Sequence, residues 1–306
     1  MAESMRDAAR AFLSALKPDQ RGRAQLRLND PARLQWDYRP KARPGTCLLG
    51  LDEHARKAAH RLLATALSRS AFAQAVTIMG WEEVLDRDED GARGRHSDDY
   101  WVVLAGDPDD EAWTWRFEGH HLSVTATLAD DEVVIGPLFF GANPSRVHAP
   151  DGGQVLAPLA REEDLARALI TDLPPDLHRQ AVLSATAPDD IISQTDRHLT
   201  EPLCPLGIPG RALDDGPKAR LASLLSVYLD RFTPDQRIQV DPSEAWFAWA
   251  GGTRPGEGHY YRLQTEHLLV EYDNTQREAD HAHTVIRQPG QDFGAHLLPA
   301  HRADHP

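Results

Sequence analysis

With 306 residues, the chain is long enough for two average domains or one large one, at roughly 150 residues per domain. Hydrophobic residues make up 41% and charged residues 26%, and no apolar run approaches the roughly 18 residues of a membrane span, which excludes a membrane-embedded protein. The net charge of −14 argues against nucleic-acid binding, because that function requires a concentrated basic surface.

The first twenty residues mix acids into an amphipathic pattern and do not resemble a signal peptide, so we expect a cytoplasmic protein. Cys47 and Cys204 are too few for a disulfide scaffold and lack C-x-x-C spacing. Histidine is the compositional outlier, with 15 residues, seven of them at or after position 259. Because histidine binds metals and carries protons near neutral pH, this enrichment indicates a functional site in the second half.

The chain resembles itself in three places that occur in the same order in both halves. Residues 9–26 align without gaps on 166–183, residues 51–68 on 213–230, and residues 97–127 on 243–273. This order indicates a tandem duplication. We therefore predict two similar halves, 1–148 and 149–306, that form one compact unit about an approximate twofold axis, joined by a Pro- and Gly-rich connector at about 143–159.

Each half is predicted to supply helices followed by an antiparallel β-meander, which makes the fold α+β. Leucine and alanine at i, i+3, i+4 spacing indicate the helices, and aromatic and β-branched runs between Gly, Asp and Pro indicate the strands. The predicted strands are Tyr100–Ala105, Ala112–Phe117, His121–Leu128, Val133–Phe140, Ala245–Ala250, His259–Gln264, Leu268–Asp273 and His281–Arg287.

The sharpest local signal is His281-Ala282-His283, because residues two apart on a strand point to the same face and can share one ion. In the predicted meander, His259 and the carboxylate of Glu271 or Asp273 are the nearby candidates for further ligands. Such a His/carboxylate site suits Zn, Fe(II), Mn or Cu. The competing interpretation is a pair of histidines that are hydrogen-bonded in a polar cavity without metal.

Glu118-Gly119-His120-His121 falls at a predicted turn between two strands. His120 continues the apolar face of the following strand and His121 continues its polar face, so we expect only one of them to point inward. His120 or His121 is a candidate general acid/base or further ligand, with Glu118 orienting the imidazole. Alternatively, His121 is a structural residue matched by His267 in the second half.

Three arginines are candidates for binding an anionic substrate. Arg116 and Arg262 occupy equivalent positions in the two halves, and Arg287 follows the His-x-His strand. A guanidinium beside histidines can clamp a carboxylate or phosphate through two hydrogen bonds. The alternative is that these arginines pair with Asp or Glu across the sheet.

Five stretches resemble a family known only as domain-of-unknown-function family 3500. They are EGHHL at Glu118, FFGANP at Phe139, GHYYR at Gly258, EYDNTQ at Glu271 and HAHTV at His281. The resemblance runs over most of the chain and implies that these motifs belong together. It implies no reaction.

The sequence favours a metal-dependent enzyme, a hydrolase or an oxygenase, that acts on a small anionic molecule and activates water or dioxygen. The site would lie on the second meander, because the first half has Trp113, Ile135 and Pro137 opposite His259, His281 and His283. The alternative is a non-catalytic binding or structural protein whose histidines line a polar pocket.

Overall fold

The computed structural model describes residues 1–197, 199 and 204–299. The final residues of the second predicted half, 300–306, lie outside the described residues. The helices are α1 (Ala2–Ala15), α2 (Pro18–Ala24), α3 (Glu53–Ala66), α4 (Arg69–Asp88), α5 (Ala160–Asp172), α6 (Pro175–Ala181) and α7 (Asp215–Leu229), with 3-10 turns at Pro31–Leu34, Leu48–Gly50, Gly210–Ala212, Pro234–Gln236 and Asp292–Gly294.

The strands of the first part are β1 (Gln25–Leu26), β2 (Thr46–Cys47), β3 (Tyr100–Ala105), β4 (Ala112–Gly119), β5 (Leu122–Ala129), β6 (Glu132–Ala142), β7 (Val147–His148) and β8 (Gln154–Leu156). Those of the second part are β9 (Val182–Ser184), β10 (Ile208–Pro209), β11 (Trp246–Gly251), β12 (His259–Gln264), β13 (Leu269–Gln276) and β14 (His281–Arg287). Strands β7 and β8 form a separate hairpin.

One large sheet joins the two meanders, in the order β1-β3-β4-β5-β6-β14-β13-β12-β11-β10, with β2 on β3 and β9 on β11. The central contact is the antiparallel pair β6–β14, in which His283 lies opposite Gly141. Strand β1 pairs parallel to β3 and β9 pairs parallel to β11, whereas the meanders themselves are antiparallel. The predicted α+β class is thereby confirmed.

The predicted strands are also confirmed, with β3, β12 and β14 at the predicted bounds and the others displaced by up to three residues at an end. The alternating pattern succeeds because each strand has one face on the helices. Trp113, Trp115 and Phe117 of β4 pack into the main core with Leu62 and Leu63 of α3. Asp52 fixes the start of α3, since its carboxylate accepts a hydrogen bond from the Ala55 amide at 2.9 Å.

The opposite face of the sheet is covered by two irregular segments, which we call loop A (residues 35–44) and loop B (residues 189–196). Trp36 and Tyr38 of loop A and Ile191 of loop B pack with Phe139 and Val285 from the central strands. We call this side of the sheet the loop face and the other side the helix face. Among the described residues, no helix is both long enough and apolar enough to cross a bilayer.

Candidate metal centre

Three histidines meet at one end of the sheet, where the β4–β5 turn approaches the start of β14. The ligand nitrogens of His121, His281 and His283 all lie within 4.8 Å of one another. His121 Nε2 and His281 Nε2 are 2.8 Å apart. Two imidazole nitrogens on one tetrahedral zinc ion lie about 3.3 Å apart, given Zn–N distances of about 2.0 Å. An increase of about half an ångström in the distance between these two Nε2 atoms therefore accommodates an ion.

Loop B fixes the orientation of His283. The Nδ1 atom of His283 lies 2.7 Å from Asp190 Oδ1, and the other oxygen of Asp190 accepts a hydrogen bond from the Tyr38 hydroxyl at 3.0 Å. Donation of the Nδ1 proton to Asp190 leaves Nε2 of His283 as a lone-pair donor toward the other two histidines. This carboxylate–histidine pairing is the usual support for a metal-bound imidazole.

Burial disfavours the charged form of two histidines of the cluster, His121 and His281. Burial, followed by the proximity of His120 and His281, lowers the pKa of His121 well below its usual range. Burial and then the neighbouring His283 lower the pKa of His281 to about 2. Because only a neutral imidazole can bind a metal ion, these shifts favour cation binding at neutral pH.

The backbone at His121 is arranged to present its ring to the cluster. His121 has φ = +61°, a left-handed conformation that costs a non-glycine residue about 1 kcal/mol or more. Its amide donates to Tyr38 O at 3.1 Å, and its carbonyl accepts from the Gly141 amide at 2.7 Å. A Cβ on Gly141 would lie 2.8 Å from His121 Cδ2, so the glycine of the FFGANP motif makes room for this imidazole.

A second group lies beside the first and consists of Glu82, His120 and His121. His120 Nδ1 is 2.6 Å from Glu82 Oε1, and Arg95 Nη1 lies 3.1 Å from the same nitrogen and 3.4 Å from Glu82 Oε2. A guanidinium therefore occupies the place where a cation would bind. The rings of His120 and His121 are stacked at 3.6 Å, so their in-plane lone pairs do not converge on one ion. The first group is the better metal site.

His120 has a carboxylate partner, the arrangement by which a general acid or base is oriented. With its Nδ1 bonded to Glu82, its Nε2 is left as the proton acceptor. Burial lowers the pKa of His120, although Glu82 opposes this effect. The turn brings both His120 and His121 to the site, whereas strand alternation predicted that only one of them would point inward, because the left-handed residue ends the alternation.

Glu118 and Glu271 hold the two loops rather than an ion. Glu118 Oε2 accepts from the Asp37 amide and the Ser123 hydroxyl, both at 2.9 Å, and Arg43 lies 3.0 Å from its other oxygen. Glu271 accepts from the Ile192 amide at 2.8 Å, from the Ser193 amide at 3.1 Å and from the Tyr260 hydroxyl at 2.8 Å. The structure thus pairs the His120 imidazole with Glu82 and not with Glu118.

His259 lies on the other side of the sheet from the cluster. It belongs to the helix face together with Tyr261, whereas His281 and His283 are on the loop face. Its ring stacks on Trp249 at 4.4 Å, and Nδ1 lies 3.1 Å from Glu257 O. The structure does not bring His259 to His281 and His283, since the adjacent β12 residue, Tyr260, takes their face. It does not bring Glu271 there either, because that carboxylate is bonded to loop B and Tyr260.

The burial of His259 predicts that the folded state becomes less stable at acidic pH. Burial lowers its pKa to about 4, so the folded chain binds its proton less readily than the unfolded chain, whose histidine titrates near 6.5. Stability from this residue is therefore complete above about pH 6.5 and is lost as the pH falls toward 4. His259→Phe keeps an aromatic ring against Trp249 but has no group to protonate. Between pH 7 and pH 5 its free energy of unfolding, measured by urea denaturation, should therefore fall by about 2 kcal/mol less than that of the wild type.

The control for this prediction is His267→Gln. His267 is two-thirds exposed and lies beside Glu266 at the surface, so its removal should leave the pH dependence of unfolding unchanged. Identical pH profiles for His259→Phe and the wild type would contradict a depressed pKa at position 259.

The three candidate substrate arginines lie on the loop face, and all three are engaged internally. Arg116 Nε is 3.3 Å from Glu118 and its Nη1 donates to Arg33 O at 2.9 Å. Arg287 pairs with Asp292 at 2.5 Å, and Arg262 hydrogen-bonds Gln264. Arg116 and Arg287 thus pair with carboxylates of the protein, Glu118 and Asp292, as the alternative to substrate binding predicted.

Sequence reasoning missed Glu82, Asp190, Tyr38 and Arg95. Glu82 lies in a helical run of charged residues, WEEVLDRD, that resembles a solvent-facing surface, and its burial comes from the contact with His120. Asp190 lies in a polar segment without regular structure. The sequence signals lay at His281 and His283 and at His120 and His121, whereas these four partners reach the site through contacts between distant parts of the chain.

The chain is thus an α+β protein with one large mixed sheet and a buried histidine cluster that is compatible with metal binding. It belongs to the DUF3500 family, described as a protein of unknown function, whose model matches residues 1–295. No curated protein and no solved structure matches the chain.

Proposed function

We propose that this protein is a metal-dependent enzyme that binds one divalent transition-metal ion through His121, His281 and His283 and acts on a small anionic organic molecule. The observation that carries the proposal is the convergence of three imidazoles, two of them with a pKa lowered by burial and the third, His283, backed by Asp190. Three nitrogen ligands with an open position are typical of catalytic rather than structural metal sites.

The residues of the site have separate roles in this proposal. His121, His281 and His283 hold the ion, which supplies Lewis acidity when bound. Asp190 keeps the Nδ1 proton on His283, and Tyr38 keeps Asp190 in place. His120, with Glu82 behind it, is the group that accepts or donates a proton beside the centre. An all-imidazole set suits Zn, Fe(II) or Cu better than Mn, which prefers carboxylate oxygens, and hydrolase and oxygenase chemistry are the two candidate classes.

Elemental analysis tests the metal proposal. The chain should be purified without an affinity tag, because a histidine tag binds the same ions. We expect about one transition-metal ion per chain, lost on treatment with a chelator and regained on addition of the ion. Protein that contains no metal and gains none from Zn, Fe(II), Mn or Cu would overturn the proposal and favour a polar pocket without a cofactor.

Asp190→Asn tests the orientation of His283. An amide lacks the charge that holds the imidazole proton on Nδ1, so we expect metal affinity to fall by about 10- to 100-fold. The measurement is the dissociation constant, obtained by competition with a chromophoric chelator. Tyr38→Phe removes the hydrogen bond to Asp190 but leaves the Asp190–His283 contact, so it should lower the affinity less than Asp190→Asn does. Equal affinity in Asp190→Asn and the wild type would remove His283 from the ligand set.

We further propose that the fold arose by tandem duplication, with the two halves related by an approximate twofold axis. The element order supports this: β1 and β2 flank β3 as β9 and β10 flank β11, with parallel and antiparallel partners in the same places. Arg116 and Arg262 share the loop face, as equivalent positions should. Superposition of residues 97–127 on 243–273 in an experimental structure is the test, and strands that do not coincide would refute the duplication.

A further inference from the structure

A small cavity opens beside the histidine cluster, on the side of His120. It has a volume of about 310 Å³, at the lower end of the range of ligand pockets. His120, Glu82 and Arg43 form its buried floor, Trp101 forms a half-buried wall, and Lys41 and Arg93 lie at the exposed rim. The cavity therefore gives a small molecule access to His120.

The charge of this cavity is opposite to that of the chain. Its lining carries four cations, Lys41, Arg43, Arg93 and Arg95, against two carboxylates, Glu82 and Asp99, in a protein of net charge −14. Lys41 and Arg43 also line a second cavity of about 260 Å³, together with Arg39 and Arg197. A local cationic region on an acidic protein attracts small anions and repels most of the protein's own surface.

The cations of the cavity differ in how firmly they are engaged. Arg43 donates to several carbonyl oxygens of loop A and to Gly119 O, and Arg95 is bonded to Glu89 and Glu82, so both are structural. Arg93, by contrast, is 61% exposed and its Nε lies 3.9 Å from Glu89, beyond hydrogen-bonding distance. Lys41 is also engaged, since its Nζ lies 2.5 Å from Asp37 Oδ2, so Arg93 is the cation most available to a ligand.

The shape of the wall selects among anions. Trp101 is held by Arg43, whose guanidinium carbon lies 5.6 Å from the ring centroid. Together with Pro40 and Ala42, the indole gives the cavity an apolar flank. An indole wall favours flat ligands, because aromatic stacking adds about 0.5–1.5 kcal/mol beyond the area buried.

From this combination we infer that the cavity binds a small planar organic carboxylate, which stacks on Trp101 with its carboxylate at Arg93 and its body toward His120. The interpretation of this cavity as a substrate site rests on the proposed function. It places substrate recognition in loop A and the segment after α4, not at Arg116, Arg262 or Arg287.

Benzoate is the probe that tests this inference, with two matched comparisons and a simple anion. Benzamide has the same shape without the charge, cyclohexanecarboxylate has the charge without the flat ring, and inorganic phosphate has charge alone. In calorimetric titrations of the purified chain we expect benzoate to bind about tenfold more tightly than any of the three. Equal binding of benzoate and benzamide, or of benzoate and phosphate, would overturn the inference.

Variants assign the binding to this cavity. Arg93→Gln at the exposed rim and Trp101→Leu in the wall should each weaken benzoate binding by about three- to tenfold. Arg220→Gln, which removes an exposed arginine paired with Asp172 elsewhere, should leave it unchanged. Unchanged binding in Arg93→Gln, which has no core contacts to lose, would overturn the inference even if Trp101→Leu fails to fold.

The titrations are run on the protein as purified and after chelator treatment, which separates this inference from the proposed function. Metal content of about one ion per chain without benzoate binding would refute the cavity and leave the metal centre standing. Benzoate binding that depends on Arg93 in a chain that takes up no metal would support the cavity and refute the metal centre.

Discussion

Replacing His281 with alanine is expected to remove the metal ion while the metal-free protein loses less than about 1 kcal/mol of unfolding free energy. His281 is half-buried, and its Nε2 hydrogen-bonds another ligand, His121, rather than a residue of the core. Loss of one of three ligands leaves two nitrogens, too few for the site. Elemental analysis measures the metal, and urea denaturation of the chelator-treated protein measures the stability.

His267→Ala is the matched control for this variant. It also removes a histidine from the second half, but at an exposed position beside Glu266, so metal content should stay at the wild-type level. Metal retained in His281→Ala at wild-type affinity, or a stability loss of several kcal/mol, would show that this histidine holds the fold instead of an ion.

His283→Ala is expected to behave differently from His281→Ala, although both should lose the metal. His283 is buried and lies 2.7 Å from Asp190, whose pKa burial raises but the hydrogen bond from His283 lowers below its usual value. Removing the imidazole leaves a buried carboxylate without this partner, which costs about 1–3 kcal/mol. Alanine substitution should therefore lower the free energy of unfolding more at His283 than at His281, because only His283 is hydrogen-bonded to a residue of loop B.

The alternation of residues along the chain was sufficient to predict the meanders. Strand β12, for example, has Tyr261 and Leu263 on the helix face and Arg262 and Gln264 on the loop face, and this contrast marks the pleat of the strand. The same pattern identified His281 and His283 as neighbours on one face. Local sequence carries this information because each residue's face depends only on its position in the strand.

The remainder of the site depends on contacts that local sequence does not encode. The predicted partner His259 is one residue out of step with Tyr260, and a single step along a strand moves a side chain to the opposite face. His121 joins the cluster from the β4–β5 turn through its left-handed backbone, and β6 separates β5 from β14 in the sheet. Asp190 and Glu82 arrive from a loop and a helix, so their roles became visible only with the packing.

Glu118→Gln is expected to lower the unfolding free energy by about 3 kcal/mol without changing metal content. The carboxylate lies between Arg43, at 3.0 Å, and Arg116, at 3.3 Å, and all three side chains are 2% exposed. The amide retains the shape and one acceptor for the Asp37 amide, so the variant removes the charge and leaves two guanidinium groups buried without it. Breaking a buried ion pair from one side costs about 3–5 kcal/mol.

The matched control is Glu266→Gln, an exposed glutamate whose neutralisation should change stability by less than about 0.5 kcal/mol. Because Glu118 holds loop A, whose Tyr38 contacts Asp190, a released loop should also raise the rate of proteolysis between residues 35 and 44. Urea denaturation, limited proteolysis and metal analysis of the two variants separate the roles. Full stability combined with lost metal in Glu118→Gln would make Glu118 part of the centre, whereas lost stability with retained metal makes it the anchor of the loop that covers the centre.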